Sequence, residues 1–274
     1  MKAIVLTLLG LALTWLAATG DARAKTFDLT RYSAGGTTES VDLELADNLP
    51  VRRSTSHRLP PEIPISAADR ARAWTVDGKV GVVSDYRPGG ISSTAGKPAI
   101  QAEIEIVHRS GIFASGFASS LAPNGGDRVE LDLSAGVTRD FKRTTLTLLG
   151  TAYIFPGVGH SLYGEIEFGA ERKFGRATLG ASVAWCPPQA NLGHRSNLYL
   201  GIDGSVGVKG TPLVVDAAFG REEGAFGNRK LNWSIGGHVE VHHVELSLAY
   251  QDARRTGHAA HSGATLVSGI ALTF

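Results

Sequence analysis

The chain has 274 residues, with 34 Gly, one Cys, one Met, 19% charged residues and a formal net charge of +1. Glycine makes up about 12% of it against a usual ~7%, and each helix-interior Gly costs about 1 kcal/mol relative to Ala, so a helical protein is disfavoured. Near-neutral charge offers no basic face for nucleic acid, a single Cys excludes an internal disulfide or CxxC motif, and beyond the N-terminus no apolar run approaches the ~18 residues of a spanning helix.

Residues 1–24 have the layout of a cleaved export signal: Lys2 as the positive start, an apolar core from Ile4 to Ala18, and Ala22-Arg23-Ala24 as the cleavage site. The alternative is an uncleaved anchor helix. Residues 25–73 carry Pro50, Pro60, Pro61 and Pro64, an acidic stretch from Asp42 to Asp47, and Arg52, Arg53 and Arg58. Neither a period of 2 nor one of 3.6 persists there, which describes a flexible leader, periplasmic or plug-like, with room for a short helix over 66–73.

From Trp74 a period-2 pattern takes over. Val129, Leu131, Leu133, Ala135 and Val137 alternate with Glu130, Asp132, Ser134, Gly136 and Thr138. Leu162, Ile166 and Phe168 alternate with Tyr163, Glu165, Glu167 and Glu171, and Leu231, Trp233 and Ile235 with Asn232, Ser234, His238 and Glu240. The spacing predicts twelve strands, over about 74–86, 99–107, 111–120, 128–138, 144–155, 161–173, 176–186, 197–208, 212–220, 231–241, 244–252 and 264–274. Connections after even-numbered strands are tight. Those after odd-numbered strands are longer and rich in Gly or Pro (87–98, 121–127, 187–196, 221–230, 253–263), apart from the short 156–160. Short turns on one rim and long loops on the other, with an even strand number, predict an all-β, antiparallel transmembrane barrel over 74–274.

Aromatics fall near strand ends: Tyr86, Phe155, Tyr163, Trp185, Phe219, Trp233 and Tyr250 towards the long loops, and Trp74, Phe113, Phe174 and Phe274 towards the turns. This predicts two interfacial belts. Ser268, Ile270, Leu272 and Phe274 alternate up to a C-terminal aromatic, the kind of ending that bacterial barrel-assembly machinery recognises, and the last strand must pair with the first because lipid tolerates no open edge.

The segment Ser84-Asp85-Tyr86-Arg87-Pro88-Gly89-Gly90-Ile91-Ser92, followed by Gly96-Lys97-Pro98-Ala99-Ile100-Gln101, resembles the signature of the TorF-type porin family of proteobacterial outer-membrane proteins. Ser110 to Gly116, Tyr163-Gly164-Glu165, Asn197 to Leu200 and Asn232 to Gly236 extend the likeness, and Pro88 and Gly89 depart from it, where the family more often has an aromatic and Arg. The resemblance implies a porin-like barrel in the bacterial outer membrane and names no solute.

If the apolar face meets lipid, the opposite face lines a lumen. Its expected lining is Asp77, Lys79, Asp85, Glu103, Glu105, Glu130, Asp132, Glu165, Glu167, Glu171, Asp203, Asp216, Glu240 and Glu245, with Lys79 the only clear base. Such a lumen favours cations or cationic solutes, unless loop Arg folds inward to pair the carboxylates or crowding keeps some protonated. Loop bases such as Arg87, Arg195, Arg221, Lys230, Arg254 and Arg255 are placed to bridge lipopolysaccharide phosphates, or stay solvated. At twelve strands the bore is narrow.

Catalytic and metal readings are weak. Gly159-His160-Ser161-Leu162-Tyr163 misses the G-x-S-x-G elbow at its last position. His238 and His242 stand about 13 Å apart on one strand, too far to share an ion, and His242-His243 reads as a turn. The expectation is a passive channel with no cofactor, no metal and no nucleic-acid partner, passing small hydrophilic solutes or ions. The alternatives are a non-conducting structural or adhesive barrel and, further off, a lipid-modifying barrel enzyme.

Overall fold

Alternation of apolar with small or polar residues forces one face of every strand to be apolar, and a single sheet with that pattern closes on itself to remove its edges. The computed structural model describes residues 73–124, 127–156, 161–257 and 259–274. The predicted signal, the leader with its short helix, His160 and His258 lie outside them. The twelve strands are β1 (Trp74–Val83), β2 (Ala99–His108), β3 (Ile112–Asn124), β4 (Asp127–Phe141), β5 (Thr144–Phe155), β6 (Ser161–Phe174), β7 (Ala177–Cys186), β8 (Asn197–Gly207), β9 (Leu213–Gly224), β10 (Gly227–Val241), β11 (Val244–Arg254) and β12 (Thr265–Thr273). Each pairs antiparallel with its sequence neighbours, and β12 pairs with β1 to close the barrel.

Large apolar side chains lie on the outside. Ile100, Leu133, Leu148, Ile202, Ile235, Leu248, Leu266 and Ile270 are all exposed. In water that surface would cost about 25 cal/mol for each Å² left unburied, so the wall is built for lipid. No helix among the described residues is long and apolar enough to cross a membrane; the strands do the crossing. An Ile202→Arg substitution puts a charge in the middle of β8, on a side chain that is 60% exposed on the lipid face. It is expected to destabilise the folded barrel by about 2–4 kcal/mol, read by urea unfolding in liposomes, whereas Ser205→Arg on the opposite face of the strand is tolerated. Equal costs at the two positions would invert the assignment of faces.

Tight turns close one rim. Phe141 and Thr144 flank Lys142-Arg143, Phe174 and Ala177 flank Gly175-Arg176, and Val241 and Val244 flank His242-His243. His242 and His243 both have positive φ (50° and 66°), as a two-residue hairpin of the type I′ kind requires, so this pair forms a turn. Among the described residues no group of three or more His, Cys, Asp or Glu is arranged to hold a metal ion.

The long-loop rim differs from expectation in two places. The segments 121–127 and 221–230 are mostly strand: β3 and β4 pair up to Asn124 and Asp127, and β9 and β10 up to Gly224 and Gly227. These Gly-punctuated stretches form hairpins taller than the 9–11 residues that cross a bilayer. The belts also change. Trp185, Phe219, Trp233 and Tyr250 face outward near the long-loop rim, and Trp74, Phe141, Phe174 and Phe274 near the other. Tyr86, Phe113, Phe155 and Tyr163 are buried inside. Tyr163 shares the strand face of Glu165, so its parity already placed it with the polar set.

The seam between β1 and β12 is short, running only from Lys79–Thr273 to Val83–Gly269. Phe274 extends it: its amide donates to the Gly78 carbonyl and its carbonyl accepts from the Gly78 amide, at 3.0 and 2.9 Å. The Phe274 ring lies where any side chain at position 78 would project. Glycine there lets the terminal aromatic lie flat against the wall.

Candidate functional site: the barrel interior and its mouth

Thirteen of the residues expected in the lumen fall on alternate strand positions facing the interior: Asp77 and Lys79 on β1, Glu103 and Glu105 on β2, Glu130 and Asp132 on β4, Glu165, Glu167 and Glu171 on β6, Asp203 on β8, Asp216 on β9, Glu240 on β10 and Glu245 on β11. Glu130, Asp132, Glu165 and Glu167 are buried. Several carry interior partners. Lys79 Nζ donates to both oxygens of Glu245, at 2.9 and 3.1 Å, across the small inner face of β12. His238 Nδ1 stands 3.5 Å from Asp216 Oδ1. The Tyr153 hydroxyl donates to Glu165 at 3.4 Å, and Thr273 Oγ1 donates to Glu240 at 2.9 Å.

Sequence reasoning missed a second interior ion pair. Lys230 and Glu222 are fully buried and joined head to head, and Asn197 Nδ2 donates to the other Glu222 oxygen at 2.9 Å. Both fall within the 221–230 segment that the sequence pattern reads as a loop. Once β9 and β10 are extended, the parity of Asp216 and Asn232 carries Glu222 and Lys230 to the interior. Lys173 faces inward on β6 by the same alternation as Glu171, so Lys79 is not the only interior base.

The mouth is covered by the segment that carried the motif resemblance. After Val83 the chain turns inward, forms a one-turn 3-10 helix at Pro88–Gly90, and packs that turn against β10 and β11. Gly89 and Gly90 have φ of 60° and 80°, conformations that side chains rarely adopt. Gly90 also lies so close to the Asp252 carbonyl and Ala253 that no Cβ would fit. Asp85 is the hub of the loop. It accepts from Arg87 Nη1 at 3.0 Å, from Ser92 Oγ at 2.5 Å and from Thr94 Oγ1 at 2.8 Å, while the Tyr86 amide donates to Thr94 Oγ1 at 3.1 Å. Arg87 Nη2 then ties the loop to the carbonyls of Gly90 and Gly263, and the Ala122 amide donates to the Ser93 carbonyl. The loop therefore reaches from the end of β3 to β10. Arg87 is not a solvated rim base; its side chain is 4% exposed and belongs to the loop's own core. Ile91 and Ala99 are buried with it, Pro98 leads into β2, and Gln101 Nε2 donates to Ser119 Oγ at 3.3 Å inside the barrel.

Opposite this loop an aromatic cluster fills the upper interior. Tyr153 stacks on Tyr163 with centroids 4.7 Å apart, Phe226 leans on Tyr163 at 5.2 Å, and Phe155, Cys186, Leu192 and Ala225 complete the group. Gln189 holds the 187–196 loop in place, its amide exchanging two 2.8 Å hydrogen bonds with the Gly164 backbone as a further strand would. Cys186 is buried at the end of β7, where its Sγ–H donates to the Gly164 carbonyl. Between the loop and the lower rim the interior holds a cavity of about 410 Å³, with Glu103, Phe117 and Asp132 on one side and Asp216, His238 and Glu245 on the other.

A family model described as "Bacterial protein of unknown function (Gcw_chp)" matches residues 67–270. The chain belongs to the Gcw_chp family. The match contains the whole mouth loop and all of β1 to β11, and it leaves most of the predicted leader outside. It does not extend to the TorF-type assignment. No curated protein matches this Gcw_chp chain in sequence. Among solved structures, its barrel is similar to the KdgM porin in complex with disordered oligogalacturonate and to the KdgM porin alone, each with a TM-score of 0.50 at 7% identity over 73% of this chain and 98% of that one. The NanC porin gives 0.49 at 8% identity over 73% and 99%. At such identities the likeness is one of fold: this Gcw_chp member has the transmembrane β-barrel fold of outer-membrane porins.

Proposed function

We propose that the protein is an outer-membrane porin-like channel for passive diffusion of small hydrophilic solutes or ions, with a preference for cations. The observation that carries this reading is a closed wall, apolar outside, around an interior in which carboxylates outnumber amines. A field of that sign concentrates cations and repels anions at a narrow bore. Export by residues 1–24, recognition of Phe274 by the barrel-assembly machinery and a TorF-type relationship belong to the same reading and rest on the sequence motifs. Arg221 and Arg254, exposed beside Phe219 and Trp233 at the long-loop rim, suit lipopolysaccharide phosphates. No catalytic role or cofactor is assigned.

A second reading, a non-conducting structural or adhesive barrel, is favoured by the loop across the mouth and the aromatic cluster opposite it. The test is reconstitution of chain 25–274 into planar bilayers. The channel reading expects discrete conductance steps and a cation-selective reversal potential under a KCl gradient. Silence at all voltages supports the second reading, and anion selectivity removes the cation preference.

A further inference from the structure

We infer that the interior cavity is a binding site for compact organic cations of the guanidinium or ammonium class, held between the Glu103 carboxylate and the Phe117 ring. This rests on the channel reading for its route of entry. The cavity of about 410 Å³ is within the size range of small-molecule sites. Glu103 and Phe117 are directly opposed on β2 and β3, so both project from the same patch of wall into it. Two of the other carboxylates lining the cavity have partners of their own: Glu245 pairs with Lys79, and Asp216 with His238. Among the described residues Glu103 makes no hydrogen bond or ion pair, and its side chain stays exposed within the cavity. Lys79, its cross-strand neighbour on the other side, turns its amine to Glu245.

A carboxylate beside an aromatic face is the arrangement that receives a planar cation twice over. A guanidinium pairs its forked N–H groups with the carboxylate while its face lies on the ring. Tyr86, delivered by the mouth loop, packs its ring 6.1 Å from that of Phe117. Asp132 on the surrounding wall supplies a further carboxylate, and the Ser115, Ser134 and Ser247 hydroxyls offer uncharged contacts to the rest of a solute.

The experiment compares arginine with citrulline, nearly isosteric but uncharged at the side-chain end, by calorimetry on the refolded full barrel in detergent and by current block in bilayers. Arginine is expected to bind and to block, and citrulline to do neither. Glu103→Gln is expected to weaken arginine by about tenfold or more and Phe117→Leu by several-fold, while Glu223→Gln, an exposed rim carboxylate, changes nothing. Equal affinity for arginine and citrulline in the unmodified protein overturns the proposal, whether or not the variants fold. Arginine binding that survives Glu103→Gln overturns the assignment to this pair. Potassium conductance without arginine binding removes the site and leaves the channel; arginine binding without conductance removes the channel and leaves the site.

Discussion

Asp85→Ala is expected to release the mouth loop and raise the single-channel conductance. The carboxylate holds three donors from the same loop, and one of them is a guanidinium whose side chain is 4% exposed. Removing one partner of a buried pair leaves the other charge uncompensated, at a cost of about 3–5 kcal/mol. Arg87 regains water only if the loop leaves its seat. A shift of about 3 kcal/mol moves a two-state balance by more than a hundredfold, enough to turn a seated loop into a mostly open one. Hydrogen exchange over 84–98 gives a readout that does not depend on conduction. Its amides are expected to lose protection in the variant while those of β5 to β8 keep theirs. Unchanged exchange would mean that the backbone ties of Ser93 to Ala122 and of Ser92 to His261 hold the loop without the hub.

The second large effect concerns the wall itself. Lys230→Met takes the lysine partner from fully buried Glu222, and the folded barrel is expected to lose about 3–5 kcal/mol, measured by urea unfolding in liposomes. Lys230→Met combined with Glu222→Leu should recover most of that loss, because two apolar groups of similar volume need no counter-charge. The recovery is incomplete: Asn197 then loses its acceptor. A double variant as unstable as the single one would show that the pair is needed for packing and not for charge balance.

Much of the wall was legible because its signal is local and repeated. The alternation in 129–137 and 162–171 needs only neighbouring residues to be read, and it places Glu130, Asp132, Glu165 and Glu167 on the inner face without knowledge of the barrel. The errors came where punctuation was read more strongly than parity. Pro123, like Gly224 and Gly227, announced a loop, yet β3 continues through Pro123 to Asn124, and β9 and β10 run as far as Gly224 and Gly227. Lys230 was lost to the interior for that reason alone. The mouth loop is a different case. Its motif was visible as a string of residues, but nothing local says that Asp85 gathers Arg87, Ser92 and Thr94, or that Gly90 must fit beneath Asp252. Those facts depend on a surface assembled from the other end of the chain. The same limit applies to Glu103 and Phe117, whose opposition is a matter of register.

The pairing of β1 with β12 has a kinetic side. Every other junction in the wall joins strands that follow one another in sequence, so each can zip from a nearby turn at small entropic cost. The closing junction brings together the first and last strands of the wall, yet its register is the shortest, Lys79–Val83, supplemented by the Phe274–Gly78 and Ser84–Ser268 hydrogen bonds. The longest search is thus rewarded by few bonds. Closure is accordingly the junction at which the loop-closure entropy is largest and the register of new backbone pairs shortest.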